Sequence, residues 1–140
     1  MHGELKLESK MRTKAYIYSI AIIFFNMVIS SCDDNINKKL KLADDCLNKS
    51  HVDSAYNIIK NIDPKKLNDK QNIALYTLLY NKVKYKKSIP VNDNSIDSAI
   101  SYYSSHNVAD RLADAYNYKG MTLYKKKKKT DEAIECLKKA

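Results

Sequence analysis

Two copies of one short signal, Asp97-Ser98-Ala99-Ile100 and Asp131-Glu132-Ala133-Ile134, put their alanines 34 residues apart. That distance is a period of repeats built from two antiparallel helices. It constrains the fold strongly, because one helical hairpin cannot bury both of its faces and needs a stacked neighbour. Between the two copies runs Leu112 to Tyr124, which reads as a further helix and carries Gly120, one of only two glycines. A third start signal, Asp53-Ser54-Ala55, lies upstream. Two prolines and two glycines are too few for an all-β chain full of tight turns. Leu, Lys, Ala and Ile at helical spacing favour an all-α fold of antiparallel hairpins.

The spacing predicts three hairpins, over 35–62, 68–107 and 109–140. In the first, Leu40, Ala43, Cys46 and Leu47 share a helical face. Ala55, Ile58, Ile59 and Ile62 form the stripe of its second helix, which Asp63-Pro64 stops. The second hairpin opens at Asn68 or Asp69, either of which suits an N-cap. Ile73, Tyr76, Leu79, Tyr80 and Val83 line one face of its first helix, and Ile96, Ala99, Ile100 and Tyr103 line its second. The third carries Leu112, Ala115, Tyr116, Gly120, Leu123 and Tyr124, a turn of five lysines at 125–129, and a last helix capped by Thr130. Ala133, Ile134, Leu137 and Ala140 are expected to face inward. Small residues at Ala43, Ala55, Ala99, Gly120 and Ala133 have a packing reason: a large side chain there would hold crossing helices apart.

Residues 1–31 read as a secretory signal peptide. Arg12 and Lys14 precede an apolar run over residues 15–29, followed by small residues and Cys32. The run is shorter than the roughly 20 residues of a membrane span. Met11 makes a better start than Met1, so residues 1–10 read as an upstream start outside any fold. Ile29-Ser30-Ser31-Cys32 resembles a bacterial lipobox, which implies cleavage before Cys32 and its lipidation. An uncleaved signal anchor is the alternative; either way the globular part, residues 32–140, is expected in the cell envelope. Asp33 and Asp34 leave the inner membrane and the cell surface both open.

The hairpins resemble the tetratricopeptide repeat. Tyr116, Gly120 and Ala133 match its large aromatic slot and its two small slots, with Leu123, Leu137 and Ala140 in register. Leu42-Ala43…Cys46…Ala55…Ile59 and Tyr76…Tyr80…Val83…Ala99…Tyr103 are looser copies. Lys119 departs from the usual leucine before the glycine. Tyr80 fills a normally small slot, and the loop after it is seven residues longer than in the first hairpin, measured to Ala99 and to Ala55. The second hairpin is therefore expected to splay. The whole string is similar to tetratricopeptide-repeat lipoproteins of the Bacteroidetes. That resemblance implies a short solenoid that binds a protein or peptide partner in the groove lined by the first helix of each hairpin. Thr77, Asn81, Lys84, Asp114, Asn117, Met121 and Tyr124 would line it. The resemblance also implies longer relatives, so the chain is expected to be a fragment or prematurely ended product. The alternative function is the sensory input region of a longer membrane-spanning regulator.

No motif points to an enzyme. Gly-x-Gly-x-x-Gly, the phosphate loop, Gly-x-Ser-x-Gly and His-Glu-x-x-His are all missing. Cys46 and Cys136 read as small hydrophobes, and with no Cys-x-x-Cys a zinc or redox site is unsupported. His51 and His106 fall at helix ends without a second ligand at helical spacing. No cofactor, metal or small-molecule substrate is expected. The net charge of +9 is that of a lysine-rich solvated surface. With arginine only at Arg12 and Arg111, it lacks the pattern of a nucleic-acid binder.

Overall fold

The computed structural model describes residues 35–92, 94–126 and 130–140, and every regular element among them is helical. The signal segment, the lipobox and Cys32 lie outside the described residues. Residues 35–48 form α1. Then follow α2 (Val52–Lys60), a short 3₁₀ turn (Pro64–Lys66), α3 (Lys70–Lys86), α4 (Asp97–Ser105), α5 (Ala109–Lys125) and α6 (Thr130–Lys139). The chain is all-α, as the spacing predicts. From α2 onward each helix packs on the next, and α3 also packs on α5.

Local chemistry sets the helix ends. Asp69, rather than Asn68, caps α3: its carboxylate accepts from the Asn72 N–H at 3.0 Å. Asp63 does the same for the 3₁₀ turn, accepting from the Lys65 N–H at 3.0 Å, with Pro64 as the first residue. Thr130 is the first helical residue of α6.

Three helices end in the same way. After α1, α3 and α4 the chain reverses through a residue with positive φ: Ser50 (63°), Ser88 (56°) and Asn107 (54°). Each reversal carries the paired hydrogen bonds of a Schellman cap. His51 N–H donates to Cys46 O (2.8 Å) and Ser50 N–H to Leu47 O (3.0 Å). Ile89 N–H donates to Lys84 O (2.8 Å) and Ser88 N–H to Tyr85 O (3.0 Å). Val108 N–H donates to Tyr103 O (3.0 Å) and Asn107 N–H to Ser104 O (3.4 Å).

The core of residues 36–140 falls into three clusters. Leu40, Ala43 and Leu47 of α1 meet Ala55 and Ile59 of α2 and Leu79 and Val83 of α3. Ala74 and Leu78 of α3 meet Ala99 and Tyr103 of α4 and Ala115 and Tyr118 of α5, with Ile96 beside them. Leu123 of α5 meets Ala133 and Cys136 of α6. Ala43, Ala55, Ala99 and Ala133 are fully buried, Gly120 is buried, and Tyr116 packs half-buried against the third cluster. A Cβ on Gly120 would stand 2.7 Å from Leu137 Cγ and 3.0 Å from the Ala133 carbonyl oxygen, so α5 and α6 meet backbone to side chain there.

Two expectations need correcting. The single stripe predicted for α3 is half of its buried surface. Leu79 and Val83 face the first cluster, while Ala74 and Leu78 face the second. Ile73 stays partly exposed because α3 lies between two sets of neighbours and neither covers that side. In α6 the buried pair is Ala133 and Cys136, whereas Ile134 and Ala140 are exposed. This helix packs chiefly on α5, so its covered stripe is narrow and Leu137 lies on its flank, 42 % exposed.

The most consequential contact joins the first hairpin to the third. Arg111 at the start of α5 forms a forked ion pair with Asp44 of α1, Nη1 to Oδ1 at 3.1 Å and Nη2 to Oδ2. Asp44 is buried, 7 % exposed. Repeats that touch only their neighbours would contain no such contact. Tyr103 is buried within electrostatic reach of this pair, and its phenol is pushed up to about 12, chiefly by burial, with Arg111 pulling it down and Asp44 raising it. A folded-state value above the unfolded 10.0 means the contribution is intact below pH 10.0 and is lost as pH rises through about 12. Unfolding at stepped alkaline pH will therefore show stability falling across that window, and Tyr103→Phe will flatten the fall. An unchanged profile in the variant would contradict the assignment.

Candidate functional site

The C-terminal end of α3 lies against the first half and middle of α5, held by one buried charge. Lys82 on α3 is 7 % exposed, reaches Asp114 on α5 at 2.6 Å and lies 5.5 Å from the centre of the Tyr118 ring. A buried ammonium needs such a partner, and here the carboxylate and the ring face together satisfy it. One residue-turn further along, Tyr85 meets Tyr118 edge-on at 5.7 Å. Burial raises the Tyr118 phenol. A third charge crosses from α5 to α4: Lys119 Nζ lies 2.8 Å from Asp97 Oδ1. That hydrogen bond raises the lysine above its usual range, with burial opposing it.

At the end of α3 an open cleft of about 860 Å³ is lined by Tyr85, Lys86, Ser88, Met121, Tyr124, Lys125 and Thr130. Tyr124 is 65 % exposed, and it is the most exposed of the large apolar residues described. The cleft is broad and shallow, with aromatic and thioether side chains inside and ammonium groups at its edge. Tyrosine and methionine are side chains that interfaces favour.

The structure distributes the residues expected to line the groove. Met121 and Tyr124 line this cleft together. Asp114 is not among its walls; its carboxylate is taken up in the ion pair with Lys82. Asn117 is half-buried on the same helix. Thr77 and Asn81 turn toward α4 instead. The Thr77 hydroxyl lies 3.5 Å from Ser98 Oγ, and Asn81 is buried, donating to Thr77 O at 2.8 Å and accepting from Ser95 Oγ. Lys84 lies over the Tyr80 ring at 4.6 Å, beside Tyr56 and Tyr76 on the side facing α2. Tyr80 itself packs against the first cluster and pairs with Tyr76 at 5.8 Å. Asn81, not Tyr80, thus faces the entry to α4. A one-residue step turns a side chain by about 100° on a helix, which moves the large ring out of the crossing.

Tyr85, Lys86 and Lys125 belong to the cleft but were not predicted for it. Tyr85 and Lys86 lie in the dense Lys82-Val83-Lys84-Tyr85-Lys86-Lys87 run and Lys125 opens the lysine run at 125–129, and both runs read equally as solvated helix ends. His51 is exposed at the start of α2. His106 ends α4, stacks on Tyr102 at 4.0 Å and places Nδ1 2.8 Å from the Tyr102 carbonyl oxygen. Cys46 and Cys136 are free thiols. Among the described residues no group of His, Cys, Asp and Glu could hold a metal ion, and no helix is long and apolar enough to cross a membrane. No family model, curated protein or solved structure matches the chain.

Proposed function

We propose that this chain is a non-enzymatic protein-binding module of the tetratricopeptide-repeat type, anchored to the bacterial cell envelope through Cys32. The observation that carries the binding role is the cleft between α3 and α5, where Met121 and the exposed Tyr124 stand beside Tyr85. Exposed aromatic side chains set in a concavity, with charges kept to its edge, are the usual anchors of a protein contact. Packing of α3 on both α4 and α5 supports the repeat reading, because it places the first helices of successive hairpins side by side. The anchor reading draws on the apolar run and Ile29-Ser30-Ser31-Cys32.

A photo-reactive phenylalanine analogue at Tyr124 tests the binding role in the source cell. It will yield one discrete protein adduct, and the same analogue at exposed Asn57 on α2 will yield none. Equal adducts at both positions, or none at Tyr124, would overturn the reading. Metabolic palmitate labelling will disappear in Cys32→Ser, and label retained elsewhere would refute the anchor.

A further inference from the structure

The connection between α3 and α4 spans residues 87–96, ten in all, whereas α1–α2 and α4–α5 are each joined by three. It contains Ile89-Pro90-Val91, three consecutive apolar residues in a loop whose other residues, apart from Ile96, are all polar or charged. A solvated connection has no use for them. Here they fold against the end of α5 and enclose a second slot, next to the open cleft and sharing Tyr85, Ser88 and Lys125 with it. The walls are mainly apolar: Tyr85, Ile89, Pro90 and Val91, closed by Thr122 and the stems of Lys125 and Lys126. The loop is pinned at both ends. Ile89 N–H donates to Lys84 O at 2.8 Å, and Lys126 Nζ donates to Val91 O at 2.8 Å. A held loop loses less entropy when something binds against it.

Size and charge narrow the occupant. The slot measures about 180 Å³. That is below the roughly 300–1,000 Å³ of pockets that enclose a whole small-molecule ligand, and it suits one large apolar side chain projecting from a larger partner. Three aspartates of α2, α4 and α5 are already paired with lysines: Asp53 with Lys87, Asp97 with Lys119 and Asp114 with Lys82. Lys86 and Lys125 have no acidic partner among the described residues, and both are exposed. Lys125 lies 5.7 Å from the centre of the Tyr85 ring, at the border of the slot and the cleft.

We propose that this slot receives the single large apolar side chain of an acidic peptide segment in a partner protein, with Lys86 and Lys125 meeting the carboxylates on either side of it. The proposal rests on the protein-binding reading above and names the chemistry of the partner. The α3–α4 connection supplies much of the apolar wall, and the ends of α3 and α5 supply the charges.

The test uses the full chain and three fluorescent pentapeptides read by anisotropy: Glu-Glu-Phe-Glu-Glu, Glu-Glu-Gly-Glu-Glu and Lys-Lys-Phe-Lys-Lys. The acidic phenylalanine peptide will bind at least about tenfold more tightly than the acidic glycine peptide, the ratio expected for burying one such side chain. The basic peptide will not bind. Lys86→Glu with Lys125→Glu will weaken the acidic phenylalanine peptide by about fivefold or more, two rim charges being reversed. Val91→Asp will remove the preference for phenylalanine, with helicity by circular dichroism checking that the variant folds. Equal binding of the phenylalanine and glycine peptides would overturn the proposal, since charge alone would then explain it. So would binding to phosphatidylserine vesicles that depends on Lys86 and Lys125 while the phenylalanine peptide fails to bind. A Tyr124 adduct without binding of the phenylalanine peptide sinks this proposal and spares the broader reading; peptide binding without an adduct leaves this proposal standing and refutes Tyr124 as the contact.

Discussion

Replacing Arg111 with methionine will destabilise the protein by about 3 kcal/mol, because it leaves the Asp44 carboxylate buried without its counter-charge. The reverse change, Asp44→Ala, will cost less. Asp44 is 10 % exposed at its side chain and cannot reach water, whereas Arg111 is 32 % exposed and can swing its guanidinium outward. The asymmetry separates a structural pair from a surface one, for which both losses would stay below about 1 kcal/mol. The double variant Asp44→Leu, Arg111→Met will recover most of the loss, as buried pairs replaced by apolar residues of similar volume commonly do. Urea unfolding of the full chain measures all three, with Lys138→Met as an exposed control. The pair also joins the first hairpin to the third. Losing it will therefore let amides of α1 and α2 exchange with solvent well before those of α3 to α5. If Arg111→Met matches the Lys138→Met control, the contact carries no weight.

Gly120→Val will detach α6. On an open helix face, replacing glycine with a residue that has a side chain stabilises, by about 1 kcal/mol for alanine. At Gly120 the first carbon already meets Leu137 Cγ at 2.7 Å and the Ala133 carbonyl oxygen at 3.0 Å. Leu137 is partly exposed and can turn aside; the carbonyl moves only if α6 moves. Alanine will therefore show near-cancellation, while valine, with two further carbons, will cost about 2–3 kcal/mol by overpacking. Cys136 provides a direct readout. It is 7 % exposed, and burial raises its thiol pKa, with Lys119 pulling the other way. In a chain carrying Cys32→Ser and Cys46→Ser, a thiol reagent will modify Cys136 at least tenfold faster once Gly120→Val is added. Unchanged modification would show that α6 accommodates the branch without leaving α5.

The helical spans and their pairing were legible because they rest on local signals. Helical spacing marks the buried stripes, Asp69 marks a start, and the paired alanines mark the crossings. What could not be read is what the tertiary fold alone brings together. Lys82 and Asp114 are 32 residues apart and Arg111 and Asp44 are 67 apart. Nothing in either neighbourhood distinguishes those charges from the many solvated lysines and aspartates. The groove residues suffered from a different problem. Assigning them needed the rotation of α3 to within one residue, and Tyr80 and Asn81 are adjacent. The repeat register favours Tyr80 at the crossing, but Asn81 fits there because its amide finds both Thr77 O and Ser95 Oγ. In the open cleft, Met121 and Tyr124 were expected from the tetratricopeptide resemblance, while Tyr85 and Lys86 were hidden in a run of lysines.

The three left-handed turns have a consequence for how this fold could be changed. Left-handed geometry costs a residue with a side chain about 1–2 kcal/mol, and only glycine takes it freely. Ser50, Ser88 and Asn107 hold it against that cost through their paired cap bonds, and the glycine at position 120 serves a helix crossing instead. Ser88 lines both the slot and the cleft, whereas Ser50, at the tip of the first hairpin, and Asn107, where the second hairpin meets the third, line neither. A glycine at either of those two turns would remove that cost, so the helix ends can be strengthened at residues that touch neither the slot nor the cleft.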